Sequence, residues 1–147
     1  MSLNWSILSW SQLTKEQLYE LLSLRAEVFV VEQDCPYLDP DGKDADALHL
    51  LGYEEKKLIS YARVFLETDP CIIGRLVVSQ RERNKKIGKE TMERAISLVP
   101  KHKKIMISAQ AYLKVFYESL GFKQQGSGYL EDGIPHIPMF FLEKTSD

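Results

Sequence analysis

The sequence is poor in the residues that build metal cages or covalent staples. Its 147 residues include two cysteines, Cys35 and Cys71, far apart and outside any CxxC pair, and three scattered histidines, His49, His102 and His136. No Cys/His spacing matches a zinc site, so no metal is expected, and two isolated thiols fit a reducing cytoplasm. Long apolar runs are missing too. Val28-Phe29-Val30-Val31 and Met139-Phe140-Phe141-Leu142 are short and bounded by charge, well below the ~20 residues of a membrane span. No Lys or Arg stands before Lys15 and no apolar h-region is present, so no secretory signal is expected. Nor is one sign of charge in large excess. Nineteen Lys+Arg against 21 Asp+Glu give a net charge of −2, which argues against a protein that coats nucleic acid. With 44% hydrophobic and 27% charged residues, and no repeat, low-complexity tract or linker, residues 1–147 read as one soluble domain. A chain of this length buries ~70% of its unfolded surface and needs no disulfide to stand.

Hydrophobic periodicity orders what is present. Residues 5–10 alternate weakly and read as a strand, and Thr14-Lys15-Glu16-Gln17 supplies a capping box. Behind it Leu18, Leu21, Leu22, Arg25, Val28 and Phe29 fall at helical spacing, which predicts a helix ending near Val31. Residues 32–46 contain Pro, Asp and Gly and read as an ordered loop. Strands over 48–53 and 58–67 flank Glu54-Glu55-Lys56-Lys57 as a hairpin. The apolar, β-branched run 71–79 is a central strand interrupted by Gly74. Ile87, Met92, Ala95, Ile96 and Val99 mark a second amphipathic helix, closed by Pro100. A buried strand over 105–109, a helix over 113–120 stopped by Gly121, a strand opening at Phe122 and a last strand over 136–143 complete the chain. The order β-α-β-β-β-α-β-α-β-β describes mixed α/β layers of the α+β kind, largely antiparallel in the first half.

Three regions carry candidate chemistry. Residues 81–104 hold nine Lys/Arg against three Asp/Glu. A helix start there offers unpaired N–H groups and a positive dipole end to a phosphate or pyrophosphate, with Gly88 allowing close approach. A solvated basic helix start fits the charge equally well. Neither the Walker pattern nor GxGxxG is present. In the strand before it, Gly74 marks either a bulge that frees backbone amides or a relief of sheet curvature. Farther on, Phe116, Leu120 and Phe122 read as core. Tyr117 then points off that face, either toward a ligand or as an amphipathic rim tyrosine. Residues 32–55 have the opposite sign, eight acids against the single base Lys43. A solvated acidic loop and an acidic rim that attracts a cation both fit. Calcium does not, because Leu50 stands where a bidentate Glu is needed.

Taken together the three regions resemble the GNAT family of acyl-CoA-dependent N-acetyltransferases. Leu76-Val77-Val78 precedes Arg83-Asn84-Lys85-Lys86-Ile87-Gly88, which matches the pyrophosphate motif Arg/Gln-x-x-Gly-x-Gly/Ala with Lys86 in place of the first glycine. Phe116-Tyr117, with Gly121-Phe122 three residues on, matches the later family motif. Segments similar to the ElaA-type branch span both ends of the chain: Phe29-Val30-Val31-Glu32-Gln33 with Cys35-Pro36-Tyr37, Asp39 and Asp41, then Tyr61-Ala62-Arg63, Ile73-Gly74-Arg75 and Asp132-Gly133-Ile134-Pro135-His136.

The resemblance implies a mixed, partly splayed central sheet of about seven strands with helices on both faces. It implies acetyl-CoA as co-substrate, with Leu76, Val77 and Val78 along the pantetheine arm and Arg83 through Lys89 at the pyrophosphate. It names no acceptor, for which a primary amine is the expectation. It implies Tyr117 as the acid that protonates the departing thiolate. Glu32 and His136 are the candidates for the base, His136 being equally readable as a structural histidine. Glu32, Tyr37, Asp39, Asp41 and His136 are expected on the acceptor side, facing a cationic amine. Cys35 lies in an acidic segment, unfavourable to a thiolate nucleophile. A cytoplasmic monomer or homodimer is expected, without nucleic-acid or membrane partners. Two other classes share these features: a non-catalytic acyl-CoA-binding regulator, and a nucleic-acid module using residues 81–104. The second is opposed by the net charge and by the absence of a stacking-aromatic motif.

Overall fold

The computed structural model describes residues 3–83 and 85–142. Strand β1 (Asn4–Ser9) leads into helix α1 (Lys15–Arg25), whose start is closed as the sequence predicts. Gln17 N donates to Thr14 Oγ1 at 3.1 Å and Thr14 N donates to Gln17 Oε1 at 2.9 Å. The helical run ends at Glu32, next to the expected Val31, but its last seven residues, Ala26–Glu32, widen into a π-helical turn. Gln33 N reaches Val28 O at 3.1 Å and Cys35 N reaches Val30 O at 3.0 Å, both five residues back. Such wide turns shift the helix face, here swinging Phe29, Glu32 and Gln33 toward a cleft.

Strands β2 (Leu48–Glu54), β3 (Lys57–Phe65) and β4 (Cys71–Val78) form an antiparallel meander with β1. Helix α2 (Ile87–Ser97), strand β5 (Ile105–Gln110), helix α3 (Lys114–Ser119) and strands β6 (Phe122–Gln124), β7 (Tyr129–Glu131) and β8 (Ile134–Phe141) follow. One sheet of eight strands runs β1-β2-β3-β4-β5-β8-β6, with β7 pairing onto β8. The strand beyond the expected seven is the three-residue β7, whose exposed Tyr129, Leu130 and Glu131 show no alternation to read.

Period-2 alternation places the helices on opposite faces. Leu51 and Tyr61 pack with Leu21 and Leu24 of α1 and Val28 of the π-helical turn, while their neighbours Leu50 and Ala62 pack with Met92 and Ala95 of α2. Two irregularities position the site. Tyr61 pairs with Val77 and Arg63 with Gly74, so β4 carries one extra residue in a bulge at Arg75-Leu76. The left-handed residue there is Arg75 (φ 50°), next to the glycine the sequence singled out. The bulge reverses side-chain parity, sending Ile73 to the α2 face and Val77 to the α1 face. Beyond it, β4 and β5 are parallel partners only at Cys71–Ile105 and Ile72–Met106. The strands then part, and the sheet splays.

Candidate active site

A cleft of about 820 Å3 opens where the strands part. One wall is residues 73–78 of β4 with Ile87, Gly88 and Met92 of α2, and the other is Ile107, Ser108 and Gln110 of β5. At its basic end, α2 begins on Lys86 in the left-handed conformation (φ 60°), with no side-chain cap on the first turn among the described residues. The first helical bond runs from Glu90 N to Lys86 O at 3.1 Å, and among the described residues nothing accepts from the preceding helical amides, which suits an anion. A Cβ on Gly88 would stand 3.6 Å from Phe116 Cζ and 3.8 Å from Val78 Cγ2, so glycine keeps a shallow gap between α2, α3 and β4. Free amides, an open gap and the exposed Lys86 and Lys89 at its rim suit a phosphate-bearing ligand. Leu76, Val77, Val78, Arg83, Lys86, Ile87, Gly88 and Lys89 all line the cleft. Lys85 does not; its ammonium pairs with Glu82 at 2.8 Å on the surface. Asn84 lies outside the described residues.

Tyr117 also lines the cleft, but not as a residue on the outer face of its helix. It is buried, and the half-buried residue is Phe116. The Tyr117 ring meets Phe116 and Phe122 edge-on, with centroids 5.1 and 6.1 Å away. Burial pushes its phenol up to about 12, so the hydroxyl stays a neutral donor at pH 7.

Arg83 and Glu32 occupy unexpected positions. The Arg83 guanidinium closes bidentately on Glu32, one bond measuring 2.8 Å, and also donates to Val78 O at 3.2 and 3.3 Å. The hydrogen bond it donates to Glu32 is the largest cause holding the Arg83 pKa above its ordinary value. The residue expected on the pyrophosphate is thus folded onto the strand end, and the carboxylate expected as a free base is already paired.

The acidic loop requires a larger correction. Asp39 and Asp41, expected on the acceptor side, are not among the residues that line the cleft. Arg25 Nε donates to Asp39 Oδ2 at 2.7 Å and Arg25 Nη1 to Asp44 Oδ1 at 2.8 Å. Arg63 binds Asp41 at 2.9 Å through both terminal nitrogens and reaches Asp44 at 3.0 Å, while Arg75 Nε binds Asp39 Oδ1 at 2.8 Å. Arg25 is fully buried and Asp39 is 3% exposed. These arginines, together with the Lys43 amide on Asp41, hold the Asp41 and Asp44 carboxyls below their usual range despite burial. A carboxylate so satisfied attracts no amine. Tyr37 does line the cleft, held by its hydroxyl donating to Asp39 Oδ1 at 3.0 Å.

The β7–β8 hairpin also borders the cleft, through Glu131, Asp132, Ile134 and His136. Asp132 (φ 50°) and Gly133 (φ 78°) form its two-residue turn, the left-handed pair that matches strand twist. The register sets Tyr129 opposite His136, their rings stacked at 6.2 Å. His136 Nδ1 donates to Ile134 O at 2.7 Å and its Nε2 lies 3.6 Å from Glu131 Oε2. Glu131, Ser108, Gln33 and Gln110 escaped the sequence reading. The two glutamines bond each other across the cleft at 3.2 Å. Their positions on a π-helical turn and a splayed strand leave no local signal. The Asp-Gly turn at 132–133, in contrast, marks the hairpin that carries Glu131.

The geometry is that of an acyl-CoA-dependent transferase, and the comparisons agree. Residues 12–142 match the family model "Acetyltransferase (GNAT) domain", and the chain belongs to the GNAT acetyltransferase family. Protein ElaA of Escherichia coli K12 is 43% identical over 145 residues, covering 93% of this chain and 95% of that protein. The crystal structure of E. coli ElaA superposes with a TM-score of 0.88 at 42% identity, covering 95% of this chain and 99% of that one. An acyl-CoA N-acyltransferase from Pseudomonas aeruginosa gives 0.87 at 38% identity, with coverage of 95% and 99%. The PaiA N-acetyltransferase of Thermoplasma acidophilum, solved with coenzyme A, shares the fold at 17% identity, with a TM-score of 0.68 and coverage of 94% and 98%.

Proposed function

We propose that this protein moves the acetyl group of acetyl-CoA to a primary amine, on a small molecule, polyamine or peptide, by direct attack in a ternary complex. The observation that carries the reading is the parting of β4 from β5 beside the uncapped start of α2, with Tyr117 on the cleft wall. The acyl-CoA activity in the name of the Pseudomonas relative and the coenzyme A held by the Thermoplasma protein support it.

In this reading the free edge of β4 at Leu76 and Val78 pairs with the pantetheine arm. The Val78 amide polarises the acetyl carbonyl as an oxyanion-type donor. The α2 amides from Ile87 to Lys89 take the pyrophosphate, with Lys86 and Lys89 adding charge. An alkylammonium with pKa ~10.4 lies about 3.4 units from neutrality, so freeing its lone pair costs roughly 4.6 kcal/mol. His136 takes that proton, since Glu32 is paired with Arg83. The N–C bond forms and the C–S bond breaks. The thiolate takes the Tyr117 phenol proton, and the surplus proton on the new amide nitrogen passes through solvent to the phenolate, which restores the neutral tyrosine. The cleft walls strengthen the phenol-to-thiolate hydrogen bond by excluding water.

The test is thiol release from acetyl-CoA over a panel of amines, polyamines and peptide N-termini, with calorimetry of acetyl-CoA alongside. The expected result is heat of binding, thiol release with a primary amine, and one acetyl group added to the product. Binding without release for every amine makes the protein a regulator. No heat at millimolar acetyl-CoA removes the reading.

A further inference from the structure

The acceptor end of the cleft contains an unusual arrangement of acceptors. His136 is 7% exposed, and its Nδ1 faces the Ile134 carbonyl at 2.7 Å. A carbonyl only accepts, so Nδ1 carries the hydrogen, and in the neutral ring Nε2 is a bare lone pair. That lone pair faces Glu131 Oε2 at 3.6 Å, too long for a hydrogen bond and the wrong chemistry for one. Two acceptors thus converge at the cleft with no donor between them among the described residues. Neither can swing away freely. Ser108 Oγ donates to the other Glu131 oxygen at 3.4 Å and is hydrogen-bonded to the Tyr129 hydroxyl. Tyr129 in turn stacks on the imidazole. Cys35 Sγ donates to Asp132 O at 3.3 Å, tying the hairpin turn to the loop after α1.

The geometry points to a docking slot for the acceptor's ammonium group, formed by His136 Nε2 and Glu131 Oε2. This rests on the acetyltransferase reading for its use and deepens it: the acceptor is a primary alkylamine that arrives charged. An ammonium has three N–H donors on a tetrahedral centre and can give one to each acceptor while its third points along the cleft. Of these two bonds, the one to Nε2 moves the proton. The imidazolium that results sits beside the Glu131 carboxylate, which compensates its charge while the freed amine lone pair turns to the acetyl carbon. A quaternary ammonium, with charge but no N–H, has nothing to give the slot.

Imidazole NMR of the full-length protein titrated with n-butylammonium chloride tests this without turnover. The His136 Nε2 resonance should move saturably, and the His49 resonance should stay, because both nitrogens of His49 are already bonded to Tyr61 and Asp44. Tetramethylammonium chloride should move neither. Glu131→Gln keeps the Ser108 contact and should weaken butylammonium about tenfold, with Glu131→Asp between the two. In turnover, Glu131→Gln should raise the KM of the amine by the same factor and leave that of acetyl-CoA alone. A still His136 resonance, or equal response to tetramethylammonium or in Glu131→Gln, overturns the slot. If butylammonium binds at His136 but no amine releases thiol, the slot stands and the acetyltransferase reading falls. If amines are acetylated with His136 unmoved, the reverse holds.

Discussion

Two stretches of this chain carry local charge of opposite sign, and the fold uses them in opposite ways. The basic stretch at the start of α2 remains outside: Lys86 and Lys89 are exposed at the rim of the cleft beside the first amides of the helix. The acidic stretch is drawn in, where Asp39, Asp41 and Asp44 meet Arg25, Arg63 and Arg75. One surplus is left for a ligand and the other is neutralised by the protein itself. Charge density in a sequence window therefore locates a binding surface only when no distant partner folds back onto it. The buried cluster has its own role, since it fixes the loop that presents Tyr37 and supports the bulged β4 at Arg75.

The largest effect should come from breaking the buried side of this comparison. Asp44 accepts from both Arg25 and Arg63, and its carbonyl accepts from His49 Nε2. Asp44→Ala leaves buried guanidinium groups without their anion and should cost about 3–5 kcal/mol in urea unfolding. Lys89→Gln on the exposed side should stay within about 0.5 kcal/mol. Comparable losses for the two would erase the distinction.

Next in size is Tyr117→Phe, which retains the edge-on packing with Phe116 and Phe122 and removes only the hydroxyl. We expect kcat to fall ~10²-fold with acetyl-CoA affinity unchanged, the usual range for a positioned acid. Undiminished kcat, measured where chemistry limits turnover, would make Tyr117 a core residue alone.

Legibility followed sequence distance. The Thr14 cap, the α2 start and the strand meander rest on neighbours a few residues apart, and the sequence shows them. The ion cluster joins residues 14 to 36 positions apart, so window sums registered eight acids and not the arginines that meet them. Tyr117 reads as outward because it stands beside Phe116, which reads as core. In α3 the buried residue is Tyr117, with Phe116 and Leu120 half-buried on either side of it, a choice that two adjacent aromatics in a six-residue helix do not reveal. Glu131 lies on a strand too short and too exposed to leave a pattern.

Acidification offers a smaller test of the buried side. Burial holds the His49 imidazole below its ordinary 6.5, and arginine contacts hold Asp41 and Asp44 below 3.8. In each case the unfolded chain binds the proton first, so stability falls as pH falls. The decline should begin near pH 6.5 from His49, steepen below about 3.8 from the carboxylates, and be followed by thermal melts. His49→Gln should flatten the upper part. A melting temperature level from pH 7 to 5 in the parent protein would contradict a neutral buried His49.

The smallest effect sharpens the exposed side. Lys86 occupies the left-handed conformation where the family motif has glycine. For an L side chain that conformation costs about 1–2 kcal/mol. Lys86→Gly removes the strain but adds freedom to the unfolded chain worth about 0.4–1 kcal/mol. The balance is a gain of roughly 0.5 kcal/mol, a degree or two in Tm. Lys86→Ala loses the same positive charge and keeps the strain, so it should show no gain. Both variants should weaken acetyl-CoA a few-fold at low salt, and the loss should shrink as salt rises from about 0.05 to 0.5 M, because the exposed ammonium is screened. The α2 amides remain in place in both, so most of the affinity should survive. If Lys86→Gly melts below Lys86→Ala, the left-handed strain at this position is smaller than the freedom glycine adds to the unfolded chain. If either variant abolishes acetyl-CoA binding, the ligand is held by side-chain charge rather than by the uncapped helix start.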